Sequence, residues 1–121
     1  MIVAGIAVAG ALGAPVRYLL DGFVQDRSVG VFPRGTFVIN VTGSFVLGVV
    51  AGLALYHAFP ATPKLVLGTG FCGAYTTFST FTYETVRLAE ERAFGAALQN
   101  VLSSILVPAL AAAAGLALAA L

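Results

Sequence analysis

Gly70-Phe71-Cys72-Gly73-Ala74-Tyr75-Thr76-Thr77-Phe78-Ser79-Thr80-Phe81 carries no charge and is followed, after Thr82 and Tyr83, by Glu84. The uncharged run around it covers residues 65–83, so this segment can lie in a lipid bilayer. An anchoring helix would be filled with leucine, isoleucine and valine. Hydroxyls, glycines and aromatics stand here instead, and hydrocarbon satisfies none of their polar atoms. Such groups need an ion, a water file or a neighbouring helix as partner. The stretch predicts an all-α membrane protein with a polar interior, and it is where function should be sought.

The rest of the chain agrees with a membrane setting. Of its 121 residues, 60% are hydrophobic and only 9% charged, with a mean hydropathy of +1.00. A soluble domain carries roughly 25% charged residues, so this chain could not cover a globular surface with polar groups. Its uncharged runs are 1–16, 35–56, 65–83 and 93–121. A helix needs about 20 residues to cross the hydrocarbon core. The first run reaches that length only if Arg17 lies at the interface or faces a polar interior. Four transmembrane helices are expected over about 1–20, 35–56, 65–86 and 94–119, in a single domain over 1–121. Asp21 to Arg34 reads as an interfacial loop, and Arg87 to Arg92 as a helical extension beyond the membrane. The first run lacks a basic start and is interrupted by Gly10, Gly13 and Pro15, which argues for a retained helix over a cleaved signal peptide.

Several function classes are excluded. A net charge of +1 gives no electrostatic case for binding nucleic acid. Cys72 is the lone cysteine and cannot form an internal disulfide. No nucleophile–base pair or metal cluster marks an enzyme. Gly68-x-Gly70-x-x-Gly73 matches a dinucleotide fingerprint, but inside a membrane span it lacks the strand–helix context that gives it meaning. The glycosylation pattern at Asn40-Val41-Thr42 is a coincidence for the same reason.

The short connections carry a charge bias. Arg27, Arg34, Arg87 and Arg92 lie in the first and third, against Lys64 in the second, so the first and third are expected on the cytoplasmic side. Gly48 and Gly52 form a small-xxx-small pair suited either to packing within the subunit or to a dimer interface.

Thr36, Asn40 and Ser44 recur at i, i+4, i+8 and form a polar stripe read as a pathway lining. Phe78 and Phe81, three apart, share a helix face. An aromatic ring is negative on its face and positive at its edge, so an anion meets the edges. With the neighbouring hydroxyl donors this suits a small anion, and no mid-span lysine or arginine would trap it. Gly70, Gly73 and Thr76-Thr77 fit a broken helix offering carbonyls to a cation such as Na⁺. They fit equally an unbroken helix whose glycines pack. Gln99, Asn100, Ser103 and Ser104 form a further polar patch, with Asn100 and Ser104 on one face. Arg17 and Glu84 stand at span ends, where an ion pair or interfacial anchoring is the expected role.

Three motifs together resemble the CrcB/Fluc fluoride channel family. They are Gly10-x-x-Gly13-x-x-x-Arg17-Tyr18, then Pro33-x-Gly35-Thr36-x-x-x-Asn40-x-x-Gly43-Ser44-Phe45-x-x-Gly48, and Gly70-x-x-Gly73-x-x-Thr76-Thr77-Phe78-Ser79-Thr80-Phe81-x-x-Glu84. The resemblance implies an antiparallel, dual-topology dimer in the inner membrane, with two pores that release cytoplasmic fluoride passively. It implies that Phe78 and Phe81 touch the anion by their ring edges and that Asn40 donates to it. Thr80 and Ser104 would continue a polar track, and Arg17 would lie near the vestibule. A structural Na⁺ would be held by the backbone carbonyls of Gly73 and Thr76 from both subunits, with Glu84 a structural residue.

Helix four departs from that pattern: if Ser104 aligns, Asn100 replaces a usual tyrosine and Pro108 a usual glycine. The charge bias is a second departure, since a dual-topology homodimer should have almost none. Both motivate a partner that is a distinct homologue rather than a second copy. The rival readings are a small proton-coupled multidrug-type exporter, which lacks its central carboxylate here, and a non-transporting membrane subunit, which would not need polar stripes.

Overall fold

The structure, a computed structural model, describes residues 1–121 and contains helices and no strands. Three helices are long and apolar enough to cross a membrane: α1 (Ile2–Asp26), α2 (Arg34–Tyr56) and the C-terminal Phe94–Ala119. At 1.5 Å per residue they measure about 35–39 Å, more than the roughly 30 Å of hydrocarbon to be crossed. Between α2 and the last helix the chain is segmented. A short α3 (Ala61–Leu65) leads into a π-helical stretch, Val66–Cys72, and one turn, α4 (Gly73–Tyr75). Thr76 and Thr77 are extended, and α5 (Phe78–Glu90) follows. Phe94–Ala119 is then α6.

α1 runs to Asp26, beyond the expected end near Leu20, and the connection is correspondingly shorter. Residues 21–26 contain no proline, and the single glycine among them, Gly22, is carried within the helix. Arg27 folds back over the Phe23 ring at 3.7 Å, and the Ser28 hydroxyl donates to the Val24 carbonyl at 2.6 Å. Both contacts complete the final turn. Gly30, at φ +98°, then reverses the chain.

The most extensive packing joins α2 to α6. Gly48 lies against the Ala112 main chain, Gly52 against Ala119 and Leu116, and Gly115 against Phe45 and Val49. A side chain at any of these glycines would collide with backbone or a helix-borne methyl. The small-residue pair on α2 is therefore spent inside the subunit. The same device holds the π-helical stretch to α1, where Gly70 rests on Ile6 and Ala9 and Gly13 on the Phe71 carbonyl. His57, just past α2, closes the far end through a 2.7 Å hydrogen bond between Nε2 and the Ala119 carbonyl oxygen.

The threonines, not the glycines, carry the interruption of the third segment. Gly73 is helical at φ −63°, ψ −35°, whereas Thr76 swings to ψ 159° and Thr77 to φ −149°, ψ 123°. Of the glycines in this segment Gly70 serves close packing, whereas Gly73 is exposed.

Candidate functional site

An extended residue between two helices leaves peptide groups without helical partners, and a buried peptide must find others. Asn40, on α2, supplies them. Its Nδ2 donates to the Thr77 carbonyl at 2.8 Å, and its Oδ1 accepts the Thr77 N–H at 2.8 Å. The side-chain amide thus takes the place of a neighbouring strand. Only asparagine or glutamine offers a donor and an acceptor in this arrangement. The Thr77 N–H is the partner that the Gly73 carbonyl would have in an unbroken helix. The Thr76 carbonyl, in extended backbone, receives no backbone donor. Carbonyls released in this way fit a role as ligands for a hard cation.

Thr77 also starts the helix that follows. Its Oγ1 accepts the Thr80 N–H at 3.2 Å, an N-cap bond, and donates to Thr80 Oγ1 at 3.0 Å. The first main-chain N–H groups of α5 lie beyond the reach of any preceding helical carbonyl.

A cavity of about 290 Å³ opens beside this junction. Asn40 and Ser44 of α2, Thr76 and Thr77 of the break, Phe78 and Phe81 of α5, and Ser104 of α6 all line it. One Nδ2 hydrogen of Asn40 is used on Thr77, and the second has no protein partner. Phe78 and Phe81 lie 5.5 Å apart between centroids, with ring planes inclined at 55°. Phe81 is 9% exposed and fixed in the core, whereas Phe78 is 78% exposed.

Arg17 and Thr80 stand apart from this group. They line a second cavity of about 200 Å³ with Tyr18, Asp21, Thr36, Ile39 and Thr77. Thr77 borders both cavities, so the two are divided by the broken segment itself. Arg17 therefore faces a polar interior, the condition under which the first uncharged run can span. Thr80 and Ser104, expected on one track, line different cavities.

Glu84 is not paired with Arg17. Its Oε1 accepts from Thr36 Oγ1 at 2.9 Å, and the one ion pair in the structure is Arg87–Glu91 on the surface. Thr36, read as part of a stripe with Asn40 and Ser44, is 3% exposed and turned towards Glu84. The stripe serves two neighbours rather than one channel wall.

In α6, Asn100 is 1% exposed. Its Nδ2 donates to Thr85 Oγ1 at 2.8 Å, and its Oδ1 accepts from Ser104 Oγ at 3.1 Å. Sequence reasoning grouped Asn100 with Ser104 by spacing but had no means of finding Thr85, which sits on another helix. Thr77 as the residue clamped by Asn40 was likewise missed. A threonine directly before a helical run, three residues ahead of Thr80, was the available signal for its cap.

Apolar spanning helices, with a pocket carrying polar groups at a helix interruption, define a multi-pass membrane protein. Comparison with known proteins narrows the class. The family described as "CrcB-like protein, Camphor Resistance (CrcB)" matches residues 4–116, and the chain belongs to this CrcB family. It is 55% identical over 98 residues, 81% of its length and 72% of the relative's, to "Fluoride-specific ion channel FluC 1" of Leifsonia xyli. It is 52% identical over 120 residues, 94% of its length and 93% of the relative's, to the protein of that name in Frankia casuarinae. It is 44% identical over 111 residues, 92% of its length and 85% of the relative's, to "Fluoride-specific ion channel FluC 2" of Mycobacterium tuberculosis.

Proposed function

We propose that this chain is a subunit of a fluoride-selective channel that lets cytoplasmic fluoride leave the cell passively. The observation that carries the reading is the cavity where the unpartnered Asn40 amide hydrogen meets Phe78, Phe81 and Ser104. A small anion there finds one strong donor and positive ring edges and no fixed cation. Conduction needs binding weak enough to release, and this set of contacts meets that condition. The family relatives named as fluoride-specific channels support the choice of anion.

The working unit in this reading has four transmembrane helices per subunit. The third is broken and built from the segments α3 to α5. Two subunits associate antiparallel in the inner membrane. Gly73 is exposed at the subunit surface, and its carbonyl and that of Thr76 are available to a structural Na⁺ shared with the partner. Such an ion would supply positive charge holding two broken helices together. The partner is either a second copy or a distinct CrcB homologue; the arginine bias of the first and third connections favours one fixed orientation, and hence the homologue.

The test is efflux from liposomes loaded with fluoride or chloride, read with ion-selective electrodes. The chain is reconstituted alone and with a co-expressed homologue. Fluoride should leave and chloride should not. Chloride flux without fluoride flux in both preparations would overturn the assignment, and activity from the chain alone would remove the need for a distinct partner.

A further inference from the structure

Asn100 belongs to a chain of hydrogen bonds whose direction is forced. Thr85 Oγ1 lies 2.8 Å from the Phe81 carbonyl oxygen. A carbonyl only accepts, so the single hydroxyl proton of Thr85 is committed to it. Thr85 Oγ1 must then accept from Asn100, 2.8 Å away. This turns the NH₂ end of the Asn100 amide towards Thr85 and its Oδ1 towards Ser104. At 3.1 Å, Ser104 Oγ has only one way to bond that oxygen, by donating its own proton. Every donor in the series therefore points from the cavity towards the Phe81 carbonyl.

We infer that Asn100 is a positioning residue that holds Ser104 as a hydrogen-bond acceptor facing the cavity. The serine then contacts the permeating ion through a water, not directly. An acceptor oxygen repels a bare anion, but a water can donate one hydrogen to Ser104 Oγ and the other to the anion. Direct coordination remains with Asn40, whose second Nδ2 hydrogen is free, and with the ring edges of Phe78 and Phe81. Asn100 is nearly fully buried, so no solvent competes for its amide and the orientation persists. Its place among the ion-path groups rests on the fluoride-channel reading above.

The test pairs a spectroscopic readout with a transport one. Asn40 and Asn100 are the asparagines of the chain. Side-chain ¹³C=O labelling of asparagine therefore gives an infrared difference spectrum between native protein and Ser104→Ala that isolates Asn100. Loss of the Ser104 bond should move that carbonyl band to higher frequency. An unmoved band overturns the proposal whether or not fluoride is transported. In liposomes, Ser104→Ala removes the acceptor that anchors the bridging water and should lower fluoride flux by less than about fivefold, because no direct donor to the ion is lost. Asn100→Leu frees the serine proton to turn into the cavity. It should lower the half-saturating fluoride concentration at least about threefold, the scale of one added hydrogen bond. Ser104→Ala in that background should restore it. A fivefold or greater loss of flux in Ser104→Ala alone would mean that Ser104 donates to the ion directly, and the proposal fails. If native protein carries no fluoride, the channel reading fails while the infrared result still decides the amide orientation.

Discussion

Replacing Asn40 by alanine removes both 2.8 Å bonds that hold the Thr77 peptide. Thr77 is buried, at 8% exposure, so water reaches the freed peptide groups only through the two cavities that Thr77 lines. An unsatisfied peptide group in hydrocarbon costs several kcal/mol, and two such groups would unfold most membrane proteins of this size. The measured worth of interhelical hydrogen bonds in membranes is smaller, about 0.6 kcal/mol on average and up to about 1.7. The difference reflects rearrangement, and here one is at hand. The Thr77 N–H can return to the Gly73 carbonyl and close the gap between α4 and α5. The expected loss is therefore about 1–3 kcal/mol, with the interruption healed and the cavity distorted. Denaturation of purified protein in mixed micelles measures the stability. Hydrogen exchange at the Thr77 amide reports whether the helix has closed. Fluoride efflux should fall sharply in the same variant. A stability loss under about 0.5 kcal/mol with native exchange at Thr77 would show that Asn40 does not hold the break.

Three further outcomes follow from particular contacts. Phe78→Ile and Phe81→Ile should each strongly reduce fluoride efflux. Only the second should also lose stability, by about 1 kcal/mol or more, since Phe78 is mostly exposed; unchanged flux in both would refute the ring-edge role. Gly48→Val should cost about 1–3 kcal/mol in the same micellar denaturation, because the Ala112 main chain cannot move aside for a side chain. Native stability there would mean that α2 and α6 are not in backbone contact. Arg92 ends α5 at φ +58°, with Arg92 N–H bonded to the Ala89 carbonyl and Ala93 N–H to the Leu88 carbonyl. Arg92→Gly should therefore raise stability by about 0.5–1 kcal/mol, the relief of a left-handed conformation less the entropy of glycine. A loss would show that the arginine side chain matters more than its backbone.

The spanning helices were legible because hydrocarbon tolerates few charges, and uncharged runs mark α2 and α6 to within a residue or two. The end of α1 was not, since Asp21 and Asp26 read as loop residues yet sit comfortably on a helix leaving the membrane. Within the third segment Gly70, Gly73 and the Thr76-Thr77 pair all fit a break, and spacing alone could not place it at the threonines, where it lies. What stabilises an extended residue there is an asparagine 37 positions earlier, and local pattern carries no trace of such a contact. The polar stripe on α2 was visible as spacing, but spacing could not divide Thr36, which serves Glu84, from Asn40, which serves Thr77. Phe78, Phe81, Asn40 and Ser104 do share one cavity. The separation of Thr80 and Arg17 from them depends on how the broken segment partitions the interior, and that is a property of three helices at once.

The glycine face that joins α2 to α6 has a consequence for biosynthesis. Its partners on α6, Ala112 and Ala119, are made roughly 60 residues after α2 leaves the ribosome, a wait of about 3–12 s at common elongation rates. Throughout that interval a helix already in the bilayer presents a smooth groove that any other small-faced helix can occupy. A stop codon or stall ahead of Ala112 would leave the groove permanently open and His57 without the Ala119 carbonyl. The second helix to be made is thus the last to be completed, and quality control of this protein should centre on α2.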